Sequence, residues 1–392
     1  MYSSCYYLLV LELITLGFAR NIGFPPVAAI DNHRSYAQAS LESYSSPTDD
    51  DDVSLDTDAV GGLTSFARLP YVPCFSSMVD NEIDTYDIAV LGAPFDTGTS
   101  YRPGARFGPH GIRDGSRRIR PFHSYNLYTG NNPFLQWAKA VDCGDAPLTF
   151  IDNTLALKQL GKAHKIISGR LAQNISVSKV PRILMLGGDH TITLAALRST
   201  INHWGVVNVI HFDSHIDTWD PYAVDGGVTE YASVNHGTFL HIAHEEGLIS
   251  NSSSIHAGIR APLGTRRRDL NNDIHCGFDI IKARDIDYIG VKGIIEKIKD
   301  RVGNGNVYIS VDIDVLDPAF APATGTAEPG GWSTRELLSI IDGLSGLKVI
   351  GADVVEVAPA YDNKGETTCI AAGEVARSLI GLMVDVPVIA YK

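Results

Sequence analysis

The stretch VVNVIHFDSHID, residues 206–217, joins a short apolar run to a cluster of polar side chains. Its first half is rich in β-branched residues and is typical of a buried strand. Its second half has the spacing Asp-x-His-x-Asp, and residues two apart in extended chain point to the same side. Asp213, His215 and Asp217 can therefore project together from the carboxyl end of a predicted strand.

The chain from residue 61 onward repeats this alternation of apolar runs and longer helical stretches. The predicted strands are Asp87–Leu91, Ala138–Val141, Arg182–Leu186, Val206–Phe212, Ser254–Gly258, Phe278–Ile281, Val307–Ile313 and Lys348–Val355. The predicted helices are Thr154–Gln173, Thr191–His203, Gly237–Glu246, Ile289–Val302, Ser333–Gly343 and Ala371–Val384. Most of the strands are continuously hydrophobic, as strands covered on both faces are. The pattern predicts a single α/β domain with a mainly parallel eight-stranded sheet.

The composition excludes several classes of protein. At 392 residues the chain is too long for a peptide hormone or a small disulfide scaffold. Its 32 Lys and Arg residues face 45 Asp and Glu residues, a net charge of −13 at pH 7. Without a long basic run, neither nucleic acid nor an anionic membrane surface is expected as a partner. Seven of the net negative charges lie between residues 31 and 60, so the remaining chain is only mildly acidic.

The first 60 residues are predicted to be a leader. Residues 6–19 are apolar and end in Gly-Phe-Ala, which is typical of a signal peptide. Glu12 and the lack of a preceding basic residue also suit a buried N-terminal helix. Residues 20–60, rich in Ser and Asp, are predicted to be disordered. The predicted organisation is a signal peptide at 1–19, an acidic leader at 20–60 and a catalytic domain at 61–392.

A signal peptide would send the protein into the secretory pathway, with a cytoplasmic location as the alternative. The triplets beginning at Asn174 and Asn251 would then be candidate glycan acceptors, and no membrane attachment is expected after leader removal. Four cysteines would remain: Cys74, Cys143, Cys276 and Cys369. Their even number permits disulfides in an oxidising compartment, and four separate buried thiols are the alternative.

Polar residues also follow three other predicted strands. GGDH at 187–190 follows one, Asp312 and Asp314 end another, and Glu356 follows the last. The carboxyl ends of parallel strands meet at one edge of the sheet, where such proteins bind ligands. Four carboxylates brought together there repel one another unless cations compensate their charge. The sequence therefore predicts a metal site at this edge.

The donor types narrow the metal and the reaction. Two imidazoles and four carboxylates without a thiolate suit Mn²⁺, with zinc, iron and cobalt as alternatives. Six donors exceed what one catalytic ion with an open position needs, and they suit two ions that share carboxylates. Two adjacent cations lower the pKa of water, so metal-assisted hydrolysis is the predicted reaction type.

Several motifs resemble those of the ureohydrolase family, which includes arginases and agmatinases. They are GGDH at 187–190, HFDSHIDT at 211–218, HGT at 236–238, SVDIDVLDPAFAPATGTAEPGG at 310–331 and DVVEVAPAYD at 353–362. RPGARFGP at 102–109 and DCGD at 142–145 match as well. The resemblance covers about residues 85–385. It implies the arginase-like three-layer α/β/α sandwich around an eight-stranded, mainly parallel sheet.

The resemblance also implies the metal ligands. Two Mn²⁺ ions per subunit would be held by His190, Asp213, His215, Asp217, Asp312 and Asp314. His190 and Asp217 would serve one ion and His215 and Asp314 the other. Asp213 and Asp312 would bridge the two ions.

Four residues acquire catalytic or substrate-binding roles from the same resemblance. Asp217 would orient the attacking hydroxide. His236 would bind substrate and pass a proton to the departing amine. Glu356 would hold the guanidinium group by a charge-assisted hydrogen bond, and Thr326 would help to position the substrate.

The expected substrate is a small cationic guanidino compound. DPAFAPATGTAEPGG and VVEVAPAYD resemble agmatinases more than arginases, which implies hydrolysis of agmatine to putrescine and urea. Ala323 and Ala327 replace residues that are usually Gly and Pro, and residues 219–227 lengthen a loop expected to line the pocket mouth. Guanidinobutyrate and other ω-guanidino compounds are therefore alternative substrates.

Two other classes of function fit the sequence less well. A catalytically inactive secreted binding protein could retain the same fold, because fold alone does not establish activity. A single-zinc deacetylase site would need fewer ligands than the six present. The family resemblance also implies a homo-oligomer, a trimer or a hexamer.

Overall fold

Eight parallel strands form one sheet in the computed structural model, which describes residues 63–75, 85–223, 229 and 231–390. The strands are β1 Ile88–Ala93, β2 Ala140–Asp145, β3 Arg182–Gly187, β4 Asn208–Phe212, β5 Ser254–Ile259, β6 Phe278–Lys282, β7 Asn306–Asp312 and β8 Lys348–Val355. Their order is β2-β1-β3-β8-β7-β4-β5-β6. The predicted strands and the parallel α/β architecture are confirmed. The predicted signal peptide and acidic leader, residues 1–60, lie outside the described residues.

Helices cover both faces of this sheet. They are α1 Gly108–Gly115, α2 Asn153–Ser168, α3 Ile192–Trp204, α4 Phe239–Glu245, α5 Arg266–His275, α6 Ile286–Val302, α7 Thr334–Gly343 and α8 Thr367–Asp385. Six of them match predicted helices. Their starts follow local capping chemistry: the Asp152 side chain accepts the Leu155 amide at α2, and Ser333 and Glu336 form a capping box at α7.

The two hydrophobic faces of the sheet form two core clusters. Along β1, Ile88 and Val90 belong to the cluster that includes residues of α1, α7 and α8. Ala89 and Leu91 belong to the cluster that includes residues of α2, α3 and α4. This alternation is the period of two that a strand requires, and it makes the fold a three-layer sandwich.

Among the described residues, helix α8 is long and apolar enough to cross a membrane, but 72% of its apolar stretch is buried inside the domain. Its Val375, Leu379 and Met383 side chains are fully buried in the core. The helix therefore fills the centre of one layer of the sandwich.

The sequence did not predict α1 and α5. Helix α1 contains three glycines, and a Cβ atom on Gly108 would lie 2.7 Å from the carbonyl oxygen of Val357 and closer still to that of Gly187. This close approach to strand ends requires glycine despite its low helix propensity. Helix α5, with the sequence RRRDLNNDIH, offers too few apolar residues for a helical stripe.

The cysteines combine the two alternatives left open by the sequence. Cys74 and Cys143 form a disulfide with a Cα–Cα distance of 5.4 Å, which ties the segment before β1 to strand β2. Cys276 and Cys369 are buried free thiols. The paired cysteines are 69 residues apart, so only the fold brings them together.

Candidate metal centre

The predicted ligands lie at the carboxyl ends of neighbouring strands in the order β3-β8-β7-β4. His190 follows β3, Asp312 ends β7 and is followed by Asp314, and the loop after β4 carries the other three. Glu356 follows β8. The structure therefore brings all six predicted ligands to one edge of the sheet, as expected for a parallel α/β fold.

His190 faces three of the carboxylates. Its Nδ1 lies 3.1 Å from Asp213 Oδ2, 3.1 Å from Asp217 Oδ2 and 3.4 Å from Asp312 Oδ2. Its Nε2 lies 2.7 Å from the Ser310 hydroxyl, which donates its own proton to Asp353. The Ser310 oxygen therefore accepts the Nε2 proton, and Nδ1 turns a lone pair toward the carboxylates. That arrangement requires a cation between them, either a proton or a metal ion.

Asp213 belongs to two groups of donors. Within the described residues, its ligand atoms lie within 4.8 Å of those of His190, His211 and Asp217, and also of those of His215 and Asp314. The Nδ1 of His215 is 3.1 Å from Asp314 Oδ2 and 3.3 Å from Asp213 Oδ1. One carboxylate shared by two donor groups is the geometry of a bridging ligand.

Asp312, the second predicted bridging ligand, directs its two carboxylate oxygens to different partners. Asp312 Oδ2 approaches His190, whereas its Oδ1 accepts the backbone amide of Asp314 at 2.8 Å. Thr326 contacts one of the other predicted ligands, because its hydroxyl donates to Asp314 Oδ2 at 3.4 Å. The structure thus places Asp312 and Thr326 beside the cluster.

The electrostatics of the cluster favour the binding of a cation. Burial and the charge of Asp213 raise the pKa of Asp217 to about 6. Burial, with the charges of Asp314 and Asp213, raises the pKa of Asp312 well above its usual range. Asp213 Oδ2 is buried and has no hydrogen-bond partner within the described part of the chain. Crowded, buried and unsatisfied carboxylates fit divalent cations, and the absence of a thiolate among the donors fits a hard ion.

Glu356 and His236 form a pair beside the cluster. Glu356 Oε1 lies 3.1 Å from His236 Nδ1 and accepts the backbone amide of His190 at 2.9 Å. Its Oε2 is buried and has no hydrogen-bond partner among the residues that the structure describes. Such an oxygen is free to accept hydrogen bonds from a cationic ligand.

Two opposed influences act on His236. Burial lowers the pKa of its ring, but the hydrogen bond and the charge of Glu356, together with the charges of Asp217 and Asp189, outweigh burial and raise that pKa to about 9. The backbone amide of Ser100 donates to His236 Nε2 at 3.0 Å, which favours the neutral ring. This balance suits a group that takes up and releases a proton.

Two of the predicted site residues are among the five described non-glycine residues with positive φ. Asp217 has φ 50° and Glu356 has φ 60°, both in the left-handed region. Such conformations cost about 1–3 kcal/mol each in residues other than glycine. The backbone amides of Leu240 and Glu356 help to hold them, by donating to Asp217 O at 3.2 Å and to Gly188 O at 2.8 Å.

A cavity of about 350 Å³ opens beside His236. Its lining is Thr97, Gly98, Thr99, Ser100, Asn153, Trp219, Tyr231, Ala232, Val234, Asn235, His236 and Gly237. Of the loop at residues 219–227 that was predicted to line the pocket mouth, Trp219 lines this cavity, residues 220–222 do not, and residues 224–227 lie outside the described residues.

Comparison with known sequences decides the family. The model of the arginase family matches residues 86–381, which is most of the chain. The chain belongs to the arginase family. This confirms the family that the motifs predicted. Arginase-family enzymes depend on two metal ions, and the buried cluster around Asp213 fits that requirement.

Individual relatives cover most of this arginase-family chain. "Putative agmatinase 1" of Schizosaccharomyces pombe is 52% identical over 339 residues, 84% of this chain and 84% of that protein. The guanidinobutyrase of Pseudomonas aeruginosa is 38% identical over 80% of this chain and 90% of its own length. The structure of proclavaminate amidino hydrolase from Streptomyces clavuligerus matches with a TM-score of 0.70 and 36% identity, covering 83% of this chain and 98% of that one.

Sequence reasoning missed several residues that support the arginase-family site. Ser310 and Asp353 lie behind His190, Ser100 contacts His236, and His211 joins the donor group of Asp213. Ser310 and His211 lie inside the quoted motifs, but no spacing rule assigns them a contact. Asp353, the first residue of the quoted motif DVVEVAPAYD, is buried within β8, and only its contacts with Ser310 and Thr193 reveal its role.

Proposed function

We propose that this arginase-family enzyme hydrolyses agmatine to putrescine and urea with two Mn²⁺ ions per subunit. The observation that carries the proposal is the buried donor cluster around Asp213, next to the unpartnered Oε2 of Glu356. The 52% identity to an S. pombe relative named for agmatine supports this choice of substrate.

The proposed ligands are His190, Asp213, His215, Asp217, Asp312 and Asp314. When bound, the two ions would supply a water of lowered pKa and would neutralise the crowded carboxylates. Asp217 is proposed to orient that water toward the substrate. The hydrogen bond from His190 to Ser310 keeps the His190 Nδ1 lone pair directed at the cluster.

Glu356 and His236 are proposed to act on the substrate itself. Glu356 Oε2 would accept N–H groups of the guanidinium in a charge-assisted hydrogen bond. Water adds to the guanidinium carbon, the bond from that carbon to the alkyl nitrogen breaks, and His236 protonates the departing amine. Thr326 is proposed to help position the substrate through its contact with Asp314.

The lining of the cavity supports agmatine over substrates that carry a carboxylate. Its described residues include Trp219 and Tyr231, whose aromatic faces attract an alkylammonium group. They include no Lys or Arg to pair with the carboxylate of arginine or guanidinobutyrate. Guanidinobutyrate remains the second candidate because a guanidinobutyrase is 38% identical over most of the chain.

Urea release tests the reaction and the substrate. The purified protein, stripped with a chelator and reloaded with Mn²⁺, is assayed with agmatine, guanidinobutyrate and arginine. Agmatine is expected to have the highest kcat/KM, and Glu356→Gln is expected to remove most of it. Urea from guanidinobutyrate alone would refute the choice of substrate. No urea from any of the three would favour the inactive binding protein.

We also propose that the protein enters the secretory pathway. The Cys74–Cys143 disulfide supports an oxidising compartment, where such bonds persist. Asn251 is exposed and can carry a glycan. The Asn174 amide instead donates both of its protons, to Asp87 Oδ2 at 2.9 Å and to the Trp137 carbonyl at 2.6 Å, so a glycan there would remove at least one of these hydrogen bonds.

Secretion from a eukaryotic host tests this location. The expected product lacks residues 1–19 and shifts in mobility after glycosidase treatment. Asn251→Gln is expected to abolish that shift, and Asn174→Gln is expected to leave it unchanged. Retention of an uncleaved, unglycosylated protein in the cytoplasm would refute the proposal.

A homo-oligomer, a trimer or a hexamer, is proposed as well. Exposed apolar side chains gather on one segment between α1 and β2, including Phe122, Tyr125, Leu127 and Tyr128. Apolar surface of this kind often marks an interface. Light scattering of the purified protein measures the subunit number, and a monomer would refute the proposal.

A further inference from the structure

A continuous set of buried polar side chains lies behind the metal centre. His211 in β4 and His256 in β5 face each other, with a distance of 2.8 Å between their Nδ1 atoms. His256 Nε2 is 2.9 Å from Asp273 Oδ1 in α5, and the Thr218 hydroxyl donates to the same oxygen at 2.7 Å. All four side chains are almost fully buried. Polar groups this deep in a core are costly unless they are hydrogen-bonded, and these four side chains hydrogen-bond to one another.

Both ends of this set reach residues proposed as metal ligands. At one end, His211 Nε2 lies 3.1 Å from Asp213 Oδ2. At the other end, Thr218 directly follows Asp217, whose backbone is in the left-handed region. Asn272, next to Asp273, donates its side-chain amide to the Thr218 carbonyl. Helix α5 therefore holds both the side chain and the backbone of Thr218.

The hydrogen-bond partners assign the protons along the set. The Asp273 carboxylate accepts the Nε2 proton of His256, which leaves a lone pair on His256 Nδ1. That lone pair accepts the Nδ1 proton of His211. A neutral His211 then has no proton on Nε2, consistent with the lack of an aligned hydrogen bond between this nitrogen and Asp213. The bare Nε2 belongs to the donor group of His190, Asp213 and Asp217.

We propose that His211, His256, Asp273, Thr218 and Asn272 form a positioning network that sets the affinity of the ion held by His190, Asp213 and Asp217. Asp273 fixes the tautomers of the two histidines at one end and restrains the strained loop of Asp217 at the other. The proposal rests on the proposed metal-dependent function. Groups that orient metal ligands in this way commonly change metal affinity 10- to 100-fold when they are replaced.

Metal titration of the full-length enzyme tests the network. The stripped protein is titrated with Mn²⁺ against a competing chelator, bound metal is counted by mass spectrometry, and Co²⁺ absorption reports the coordination. His256→Phe keeps an aromatic ring against Phe278, whose centroid is 4.0 Å away, and removes both nitrogens. His256→Phe and Asp273→Asn are each expected to weaken the binding of one of the two ions about 10- to 100-fold. The double variant is expected to bind that ion no more weakly than the worse of the two single variants.

Matched variants separate positioning from general damage. His164→Phe makes the same substitution at another buried histidine, in α2 and in contact with Met185, and is expected to retain both ions. Thr218→Val removes the hydroxyl and is expected to weaken binding of the same ion. Thr218→Ser retains the hydroxyl and is expected to bind that ion with wild-type affinity. The threonine pair decides the outcome if His256→Phe does not fold.

Two results would overturn the network, and a third would overturn the proposed function instead. Affinities of Asp273→Asn and Thr218→Val within twofold of wild type, in an enzyme that binds two ions and releases urea, would reject the network alone. An equal loss in His164→Phe would also reject it. A wild-type protein that binds no divalent ion and releases no urea would reject the proposed function.

Discussion

Asp142 and Asp213 lie in or directly after strands of the same sheet, and both are almost completely buried, yet their charges are met in opposite ways. Asp142 accepts hydrogen bonds from Arg113 Nε and Nη2 at 2.8 and 2.9 Å, and from the backbone amides of Phe66 and Gly144. Asp213 Oδ1 accepts the backbone amide of His215 at 2.6 Å, but its Oδ2 has no hydrogen-bond partner among the described residues and faces His190 and His211. A buried carboxylate that the protein satisfies holds the fold, and one that it leaves unsatisfied implies a cation from outside.

Motif membership does not reveal this difference. Asp142 lies in DCGD and Asp213 lies in HFDSHIDT, and both segments match the same family. Only the positions of Arg113 in α1 and of the neighbouring carboxylates distinguish the two aspartates. Substitution of each one is therefore expected to affect a different property of the protein.

Asp213→Asn is expected to have the largest effect, on activity. Loss of the shared carboxylate should remove bound metal and several kcal/mol of transition-state stabilisation, so kcat/KM falls by about 10⁴-fold or more. Against burial, neighbouring histidines hold the pKa of Asp213 well below its usual range, but its charge repels Asp217 and Asp312 and raises their pKa values. Removal of this charge relieves that repulsion in the metal-free cluster. The metal-free variant should therefore unfold at a temperature no lower than the metal-free wild type. Urea assays, metal counting and thermal unfolding measure the three quantities.

A metal-free Asp213→Asn protein that is clearly less stable than metal-free wild type would break the comparison. It would mean that the protein itself satisfies Asp213, as it does Asp142. Retention of both metal ions would refute the bridging role of Asp213.

Asp142→Asn is expected to act on stability instead. It leaves Arg113 buried with only Asp145, 2.5 Å away and partly exposed, as a counter-charge. Removal of one partner from a buried ion pair costs about 3–5 kcal/mol. Denaturant unfolding should show this loss, while metal content and KM stay at the wild-type values.

The double variant Asp142→Leu, Arg113→Leu is the control, because it removes both charges. It should recover part of the stability lost in Asp142→Asn. A double variant that is less stable than either single change would show that the pair does more than neutralise its own charges.

The sequence predicted the strands because each is a continuous apolar run, and parallel strands buried on both faces have that pattern. It missed α1 because Gly108 is required by a contact with Val357, which is remote in sequence. It missed α5 because the buried Asp273 of that helix makes polar contacts rather than apolar ones. Both omissions concern residues whose role is set by tertiary partners.

The proposed ligands were likewise predictable because they lie at or directly after the ends of predicted strands and are of a recognisable chemical type. The residues that orient these ligands could not be predicted from the sequence. Ser310 reads as an ordinary strand residue, and His256 reads as a buried histidine, until the distances to His190 and His211 are known. The disulfide has the same limitation, since Cys74 and Cys143 have no local spacing that pairs them.

His164 sharpens the comparison because it is buried and has no charged partner among the described residues. It lies in α2, its Nε2 is 3.3 Å from Met185 Sδ, and burial lowers its pKa from 6.5 to about 4. The folded pKa is below the unfolded one, so the unfolded chain binds more protons between these values. Stability from this group is therefore complete above about pH 6.5 and is lost as the pH falls toward 4. At pH 5 the loss amounts to about 2 kcal/mol.

His164→Phe removes this titration. The difference in unfolding free energy between metal-free wild type and this variant should shift by about 2 kcal/mol between pH 7.5 and pH 5, with the wild type losing more as the pH falls. Metal-free protein is used because acid also releases metal from the cluster at Asp213. A difference that stays constant across this range would mean that His164 carries its proton in the folded state. A buried charge would then be tolerated without a partner, against the distinction drawn between Asp142 and Asp213.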